Sequence, residues 1–228
     1  MEFPGLADRL RLVQSAIAER QQLAGLQHPV TIVAVTKGHG PDAVRAAAAA
    51  GFAVVGENRV QDALAKQDAT SDIRVGWHLI GTLQRNKVRH AIGRFDLIHS
   101  IDREDLALEL DRRITPGTTQ QVLVQVNCSA EPQKGGAEPG AVPALLDALT
   151  LLTRLEVRGL MTMAALTDDP AEQRRAFRLL RQLRDDAVAR GHAGPELSMG
   201  MSGDYLVAVE EGATMVRLGT LLFGERSR

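Results

Sequence analysis

Aromatic side chains are scarce in this chain. One Trp, one Tyr and five Phe make up 3% of its 228 residues. A surface that stacks nucleic-acid bases needs rings, so that class of function loses its usual support. Charge of one sign is missing too. The 27 Lys and Arg residues against 28 Asp and Glu leave a formal net charge of -1, and no overall field draws in polyanions or an anionic membrane. Cysteine occurs once, at Cys128, so no intramolecular disulfide can form, which suits a reducing compartment. Without clustered Cys or His partners, Cys128 reads as a small buried residue and not as a nucleophile. No apolar stretch approaches membrane-spanning length. The opening segment from Leu6 to Leu23 carries Asp8, Arg9 and Glu19, which a signal-peptide core excludes. A cytoplasmic protein without a membrane or nucleic-acid partner is expected. No His, Cys, Asp or Glu set has metal-ligand spacing, and no Ser lies in a nucleophile-elbow pattern, so no metal is expected.

What is present is alternation. Short β-branched and apolar runs suggest strands near 31–37, 52–57, 76–81, 96–101, 121–127, 156–163, 197–200 and 214–219. Helical patterns fill 41–50, 59–68, 84–93, 103–113, 139–153, 170–190 and 203–211. Asp102 offers an N-cap followed by acids, and Asp169-Pro170 offers another with proline at the first helical position. Gly191 ends the long helix. Runs such as Val122-Leu123-Val124-Gln125-Val126 are nearly continuously apolar, as in a parallel sheet covered by helices. Eight β/α units of this size fit a single (β/α)8 TIM-type barrel over residues 1–228. A doubly wound open sheet is the alternative. The extra N-terminal helix, 6–24, would pack outside the first unit or close the barrel bottom. The loop from Ser129 to Gly140 follows a strand and so belongs on the active face.

In a barrel the carboxyl ends of the strands meet around one mouth. Lys37 ends the run Thr31-Ile32-Val33-Ala34-Val35-Thr36 and is followed by Gly38, Gly40 and Pro41. By position alone it reads as a strand-end lysine pointing into water. Two other pieces change that. Met199-Gly200-Met201-Ser202-Gly203-Asp204 joins a strand to a helix, and Arg217-Leu218-Gly219-Thr220 ends the last strand before a short terminal helix. Glycine-flanked helix N-termini present backbone N–H groups, and with the Ser202 and Thr220 hydroxyls they suit a phosphate dianion. A phosphate site after the seventh and eighth strands recurs in these barrels. With Lys37 opposite, the mouth would hold a phosphorylated aldehyde, the amine forming a Schiff base. Arg217 would lie between them, where a guanidinium can hydrogen-bond a ring nitrogen. Asn58, His78, His99, Ser100 and Asn127 also reach strand ends, and each has an ordinary turn or core explanation.

Several strings together resemble the YggS/PROSC family of pyridoxal phosphate (PLP) binding proteins. They are Ala34-Val35-Thr36-Lys37, Gly56-Glu57-Asn58-Arg59-Val60-Gln61 and Trp77-His78-Leu79-Ile80-Gly81-Thr82-Leu83-Gln84-Arg85-Asn86-Lys87. To these add His99-Ser100-Ile101-Asp102, Val126-Asn127, Arg158-Gly159-Leu160-Met161-Thr162, Leu197-Ser198-Met199-Gly200-Met201-Ser202 and Met215-Val216-Arg217-Leu218-Gly219-Thr220 through Phe223-Gly224. They run in order over essentially the whole chain. The resemblance implies a barrel like the N-terminal domain of alanine racemases, with PLP held as a Schiff base on Lys37. It implies Arg217 facing the pyridine nitrogen, Ser202, Gly219 and Thr220 holding the phosphate, and Asn58 near the cofactor. The sequence read here ends at Arg228, without the β-domain that supplies the racemases' catalytic tyrosine, so racemisation would lack its second base. The expectation is a monomeric PLP carrier serving intracellular PLP homeostasis, with apo PLP-dependent enzymes as partners. A PLP-dependent racemase or lyase using His39 or His78, and a sugar-phosphate-binding barrel without PLP, are the alternatives. One departure from the family's pattern is Gly38-His39-Gly40 after the lysine. The arginines 174, 175, 178, 181 and 184 read as a solvated helix face.

Overall fold

The apolar runs form eight strands: β1 (Thr31–Val35), β2 (Val54–Glu57), β3 (Gly76–Leu79), β4 (Leu97–Ile101), β5 (Gln120–Gln125), β6 (Leu155–Met161), β7 (Glu196–Ser198) and β8 (Met215–Leu218). The structure is a computed structural model that describes residues 3–225 apart from 130, 132 and 133. Neighbouring strands pair in parallel throughout, and β8 returns to β1 with Ala34 opposite Leu218. The sheet is therefore a closed barrel, and the open doubly wound alternative is excluded. The intervening helices are α2 (Pro41–Ala50), α3 (Val60–Ala69), α4 (Val88–Ala91), α5 (Glu104–Arg113), α6 (Val142–Leu149), α7 (Pro170–Ala189) and α8 (Tyr205–Glu210). A short α9 (Thr220–Phe223) follows β8, and α1 (Leu6–Ala24) precedes the barrel.

Period-two alternation sorts each strand into two faces. Ala34, Val55, Leu79, Ile98, Val122, Leu160, Leu197 and Val216, one from each strand, belong to the large buried cluster shared with the helices. Leu97, Leu123, Met161 and Met215 form a separate small cluster, which alternation assigns to the barrel interior. The same alternation turns His78, His99, Ser198 and Arg217 inward, while Thr36 and Glu57 face the helices. The interior thus mixes both kinds of side chain, with Ser198 in register with Met161 and Met215, and His78 in register with Leu97.

Helix α1 packs against α2, α8 and α9, so it covers the outside of the seam where the last unit meets the first. Arg9 Nε donates to the Leu222 carbonyl at 2.6 Å, and Arg20 pairs with Glu210 at 2.8 Å. Two local expectations need correction. Asp102 does not cap α5. The N-cap is Arg103, with no side-chain cap bond, because the Asp102 carboxylate pairs with the adjacent Arg103 guanidinium at 2.7 Å. The expected helix 84–93 shrinks to a 3₁₀ turn over Arg85–Lys87 and the single turn α4, stopped by Gly93 at φ +69°. The other caps hold. Asp169 accepts from the Ala171 N–H at 2.9 Å ahead of Pro170 at the helix start, and Gly191 closes α7 at φ +72°.

Candidate functional site at the barrel mouth

Lys37 is half-buried in the turn that leaves β1. The Thr36 carbonyl accepts from the His39 N–H at 3.1 Å and closes four residues, with Gly38 third at φ +79°. A type II turn requires that angle at that position, and glycine adopts it without a Cβ clash. The unusual Gly38-His39-Gly40 string therefore makes a tight exit for the lysine. The His39 ring packs edge-on against Phe3 at 5.4 Å and tilted against Phe223 at 5.5 Å.

The two glycine-flanked pieces do meet. Gly200 sits at φ +94°, where a Cβ would come within 2.7 Å of the Ala208 Cβ, so the loop 199–204 can lie on α8 only with glycine there. Asp204 Oδ1 accepts from the Met201 N–H at 2.5 Å and rounds that loop. Ser202 Oγ then accepts from the Leu221 N–H at 3.3 Å, in the first turn of α9. The opening N–H groups of a helix have no partner within it. Thr220 opens α9 on the exposed side. Gly219 places this corner against β1: a Cβ on it would lie 3.5 Å from the carbonyl oxygen of Val35, two residues before Lys37.

Arg217 is 4% exposed. Its guanidinium donates to Ser198 Oγ at 2.7 Å and to the Thr162 carbonyl at 2.9 Å, leaving three of its five N–H donors without a partner among the described residues. Its own N–H donates to the Gly200 carbonyl at 2.9 Å, which ties the arginine strand to the Ser202 loop. Burial pushes the Arg217 pKa down to about 10, against the opposing negative charge of Asp204. It stays cationic at neutral pH. His99 Nδ1 lies 2.9 Å from Ser198 Oγ, and His99 Nε2 lies 3.0 Å from His78 Nδ1. Burial pushes His78 down to about 4, and it lowers His99 well below the usual imidazole range, helped by His78 and Arg217. Both rings are neutral at neutral pH, so the polar chain from β3 to β8 carries one charge, on Arg217.

Asn58 is half-buried just past β2. A Cβ on Gly81 would stand 2.3 Å from its carbonyl oxygen, so Gly81 is what lets the third strand's exit touch Asn58. Lys37, Asn58, Ser202, Arg217, Gly219 and Thr220 therefore all lie at strand ends on the same face. Asn127 does not join them: its side chain donates to the Glu131 carbonyl at 3.1 Å and accepts from Ser129 at 3.2 Å, shaping its own loop. Part of the loop Ser129 to Gly140 lies outside the described residues. Cys128 is half-buried and not fully buried as expected, and desolvation still raises its thiol to about 11, the state of an inert residue. Ser198, the Thr162 carbonyl and Asp204 hold Arg217 and the Ser202 loop, and no sequence motif marks those roles. The available signal was parity, since a serine after buried Leu197 must point into the barrel. The arginines of α7 need correction as well. Arg174, Arg178 and Arg181 lie 2.7, 3.1 and 3.4 Å from Glu211. Glu211 is a buried carboxylate that needs cations once out of water. Those three guanidiniums clamp Glu211 between α7 and α8, while Arg175 and Arg178 stay exposed, so the solvated-face expectation holds only in part.

Residues 12–227 match the family model of the alanine racemase N-terminal domain. A pyridoxal phosphate homeostasis protein of Aquifex aeolicus is 42% identical over 222 residues, covering 96% of this chain and 97% of that protein. The solved structure of PipY from Synechococcus elongatus, with PLP bound, is similar at a TM-score of 0.84 and 39% identity, over 96% of this chain and 100% of that one. An alanine racemase from Corynebacterium glutamicum is similar in fold at a TM-score of 0.71 and 22% identity, over 94% of this chain and 62% of the racemase.

Proposed function

This chain belongs to the pyridoxal phosphate homeostasis protein family, and from that premise we propose that it binds PLP at the barrel mouth, linked to Lys37, and holds it for other proteins. When bound, PLP supplies an aldehyde that an amine captures as a Schiff base. The rest is the work of this chain's residues. Ser202, Gly219 and Thr220 bind the phosphate, Arg217 presents its remaining donors to the pyridine nitrogen, and Asn58 borders the ring.

The observation that carries this reading is the hydrogen bond from the Leu221 N–H to Ser202 Oγ. It joins two segments distant in sequence into one corner, beside the β1 end and next to a buried cation. The fit is chemical as well. Among the described residues Arg217 is buried without a carboxylate in hydrogen-bond contact, and an acceptor on a ligand would satisfy its remaining donors. The test is the visible absorbance of the protein as purified, compared with Lys37→Ala. The wild type is expected to carry a bound-PLP band that the variant lacks. A variant that kept the band would sink the linkage.

Holding, and not catalysis, is supported by the histidines. His78 and His99 are buried, neutral and hydrogen-bonded to each other, and His39 packs against Phe3 and Phe223. Incubation with amino acids in deuterated buffer is expected to give no saturable α-proton exchange. Saturable exchange would favour a racemase or lyase. The protein is proposed to act as a cytoplasmic, single-domain monomer that passes PLP to apo PLP-dependent enzymes. Its exposed large apolar residues are spread over α1, which carries Leu12 and Leu23, and the loops before β6 and α7, which carry Leu151 and Leu166, and this scatter supports the monomer.

A further inference from the structure

Behind Lys37, on the helix side of the barrel wall, lies a buried ion pair. Lys66 of α3 and Glu57 at the end of β2 are 2.5 Å apart, with side chains 8% and 0% exposed. Lys66 Nζ also donates to the Thr36 carbonyl at 2.8 Å, and Glu57 Oε1 accepts from Thr36 Oγ1 at 2.6 Å. Glu57 Oε2 is buried without a hydrogen-bond partner among the described residues. Lys66 shares the buried face of α3 with Val60 and Ala63, a place where helical spacing ordinarily puts an apolar side chain.

Stability explains this pair poorly. Removing both charges from water costs more than their attraction commonly returns, and an apolar or neutral pair of the same volume often serves as well. What the pair does have is a target. It grips Thr36 at both its carbonyl and its hydroxyl, and that carbonyl belongs to the peptide carrying the Lys37 nitrogen. The same oxygen accepts from the His39 N–H at 3.1 Å, so it is held by the turn and by the helix at once. Thr36 faces the helices, and alternation sends the next residue to the opposite face, toward the mouth. The pair adds no net charge beside the amine, so its effect on Lys37 is geometric.

We propose that Glu57 and Lys66 are positioning residues: they clamp the Thr36–Lys37 peptide so that the lysine amine leaves the wall facing the Ser202–Thr220 corner. The proposal rests on the reading that Lys37 carries the cofactor. The decisive protein is the double variant Glu57→Gln, Lys66→Met, which removes both charges at similar volume. Its thermal midpoint is expected to stay within a few degrees of wild type. PLP release is expected to be about tenfold faster, the effect of one lost hydrogen bond to a charged group. The pH midpoint of the bound-cofactor band is expected to shift. Trace acetylation of Lys37 in the two apoproteins reads the amine with no cofactor present, and a several-fold change in reactivity is expected. Unchanged release, unchanged pH midpoint and unchanged acetylation in a folded double variant would overturn the clamp. Failure of the double variant to fold would overturn it too, since the pair would then be a stability element. Retention of the cofactor band by Lys37→Ala would sink the cofactor reading alone, and apoprotein acetylation would still decide the clamp.

Discussion

Ser202, Arg217 and Cys128 illustrate how differently single polar residues can be held near one barrel mouth. Ser202 is half-buried and already accepts from the Leu221 N–H, so in the proposed site its hydroxyl proton would be donated to a phosphate oxygen. Ser202→Ala is expected to accelerate PLP release by at least tenfold, because a hydrogen bond to a charged group contributes about 1.5–3 kcal/mol. Stopped-flow transfer of PLP to an excess apoenzyme would measure it, and equal rates for the two proteins would contradict the assignment. Arg217 is fixed by Ser198 and Thr162 and keeps its charge although burial lowers its pKa to about 10. Cys128, raised to about 11, is almost entirely thiol at pH 8. Iodoacetamide is expected to label it more slowly in the native protein than in urea, and comparable rates would show that the fold does not raise its pKa.

At the scale of elements, glycines set the spacing between strand exits. The Trp77–Lys87 string has its clearest physical role in Gly81, whose Cα lies against the backbone of Asn58. Gly81→Ala is expected to part the exits of β2 and β3 and to destabilise the fold by roughly 1–3 kcal/mol, as overpacking does, while also loosening PLP. Urea unfolding and PLP release would be measured on the same sample. A variant with wild-type stability and release would show that the contact relaxes freely. Helix α7 shows where local pattern misleads. Its arginines have the spacing of a solvated face, yet three of them reach Glu211 of the turn after α8. Nothing in α7 announces a buried carboxylate that lies 30 residues further along the chain. Lys66 poses the converse case. A lysine on the Val60–Ala63 stripe looks like an interruption of the buried face until Glu57 and Thr36 are seen beneath it.

For the molecule as a whole, the polar interior couples stability to pH. His78 falls to about 4 in the folded barrel and returns to its ordinary 6.5 on unfolding, and His99 is depressed in the same sense. Between those values the unfolded chain binds more protons than the folded one, so stability falls as pH drops from about 6.5 toward 4. The urea midpoint is expected to decline across that window. A His78→Asn, His99→Gln variant is expected to show a shallower decline, and a slope as steep as wild type would mean that other groups carry the acid sensitivity.

Most of the architecture is legible in residue order, because the two periodicities that specify strand and helix are local. Eight short apolar runs alternate with helical patterns, so the barrel follows, and closure brings the strand ends together. That is why turn chemistry and strand position bring Lys37, Ser202, Arg217, Gly219 and Thr220 to one barrel mouth, with the family resemblance adding Asn58 to the proposed site. The contacts that orient those residues were not legible. His99 meets Ser198 across 99 positions, and Lys66 meets Thr36 across 30. Each pairs polar groups that look unremarkable in their own segments. Local pattern says which face a side chain takes. Only the closed fold, by removing water from both groups at once, determines which partner must satisfy it.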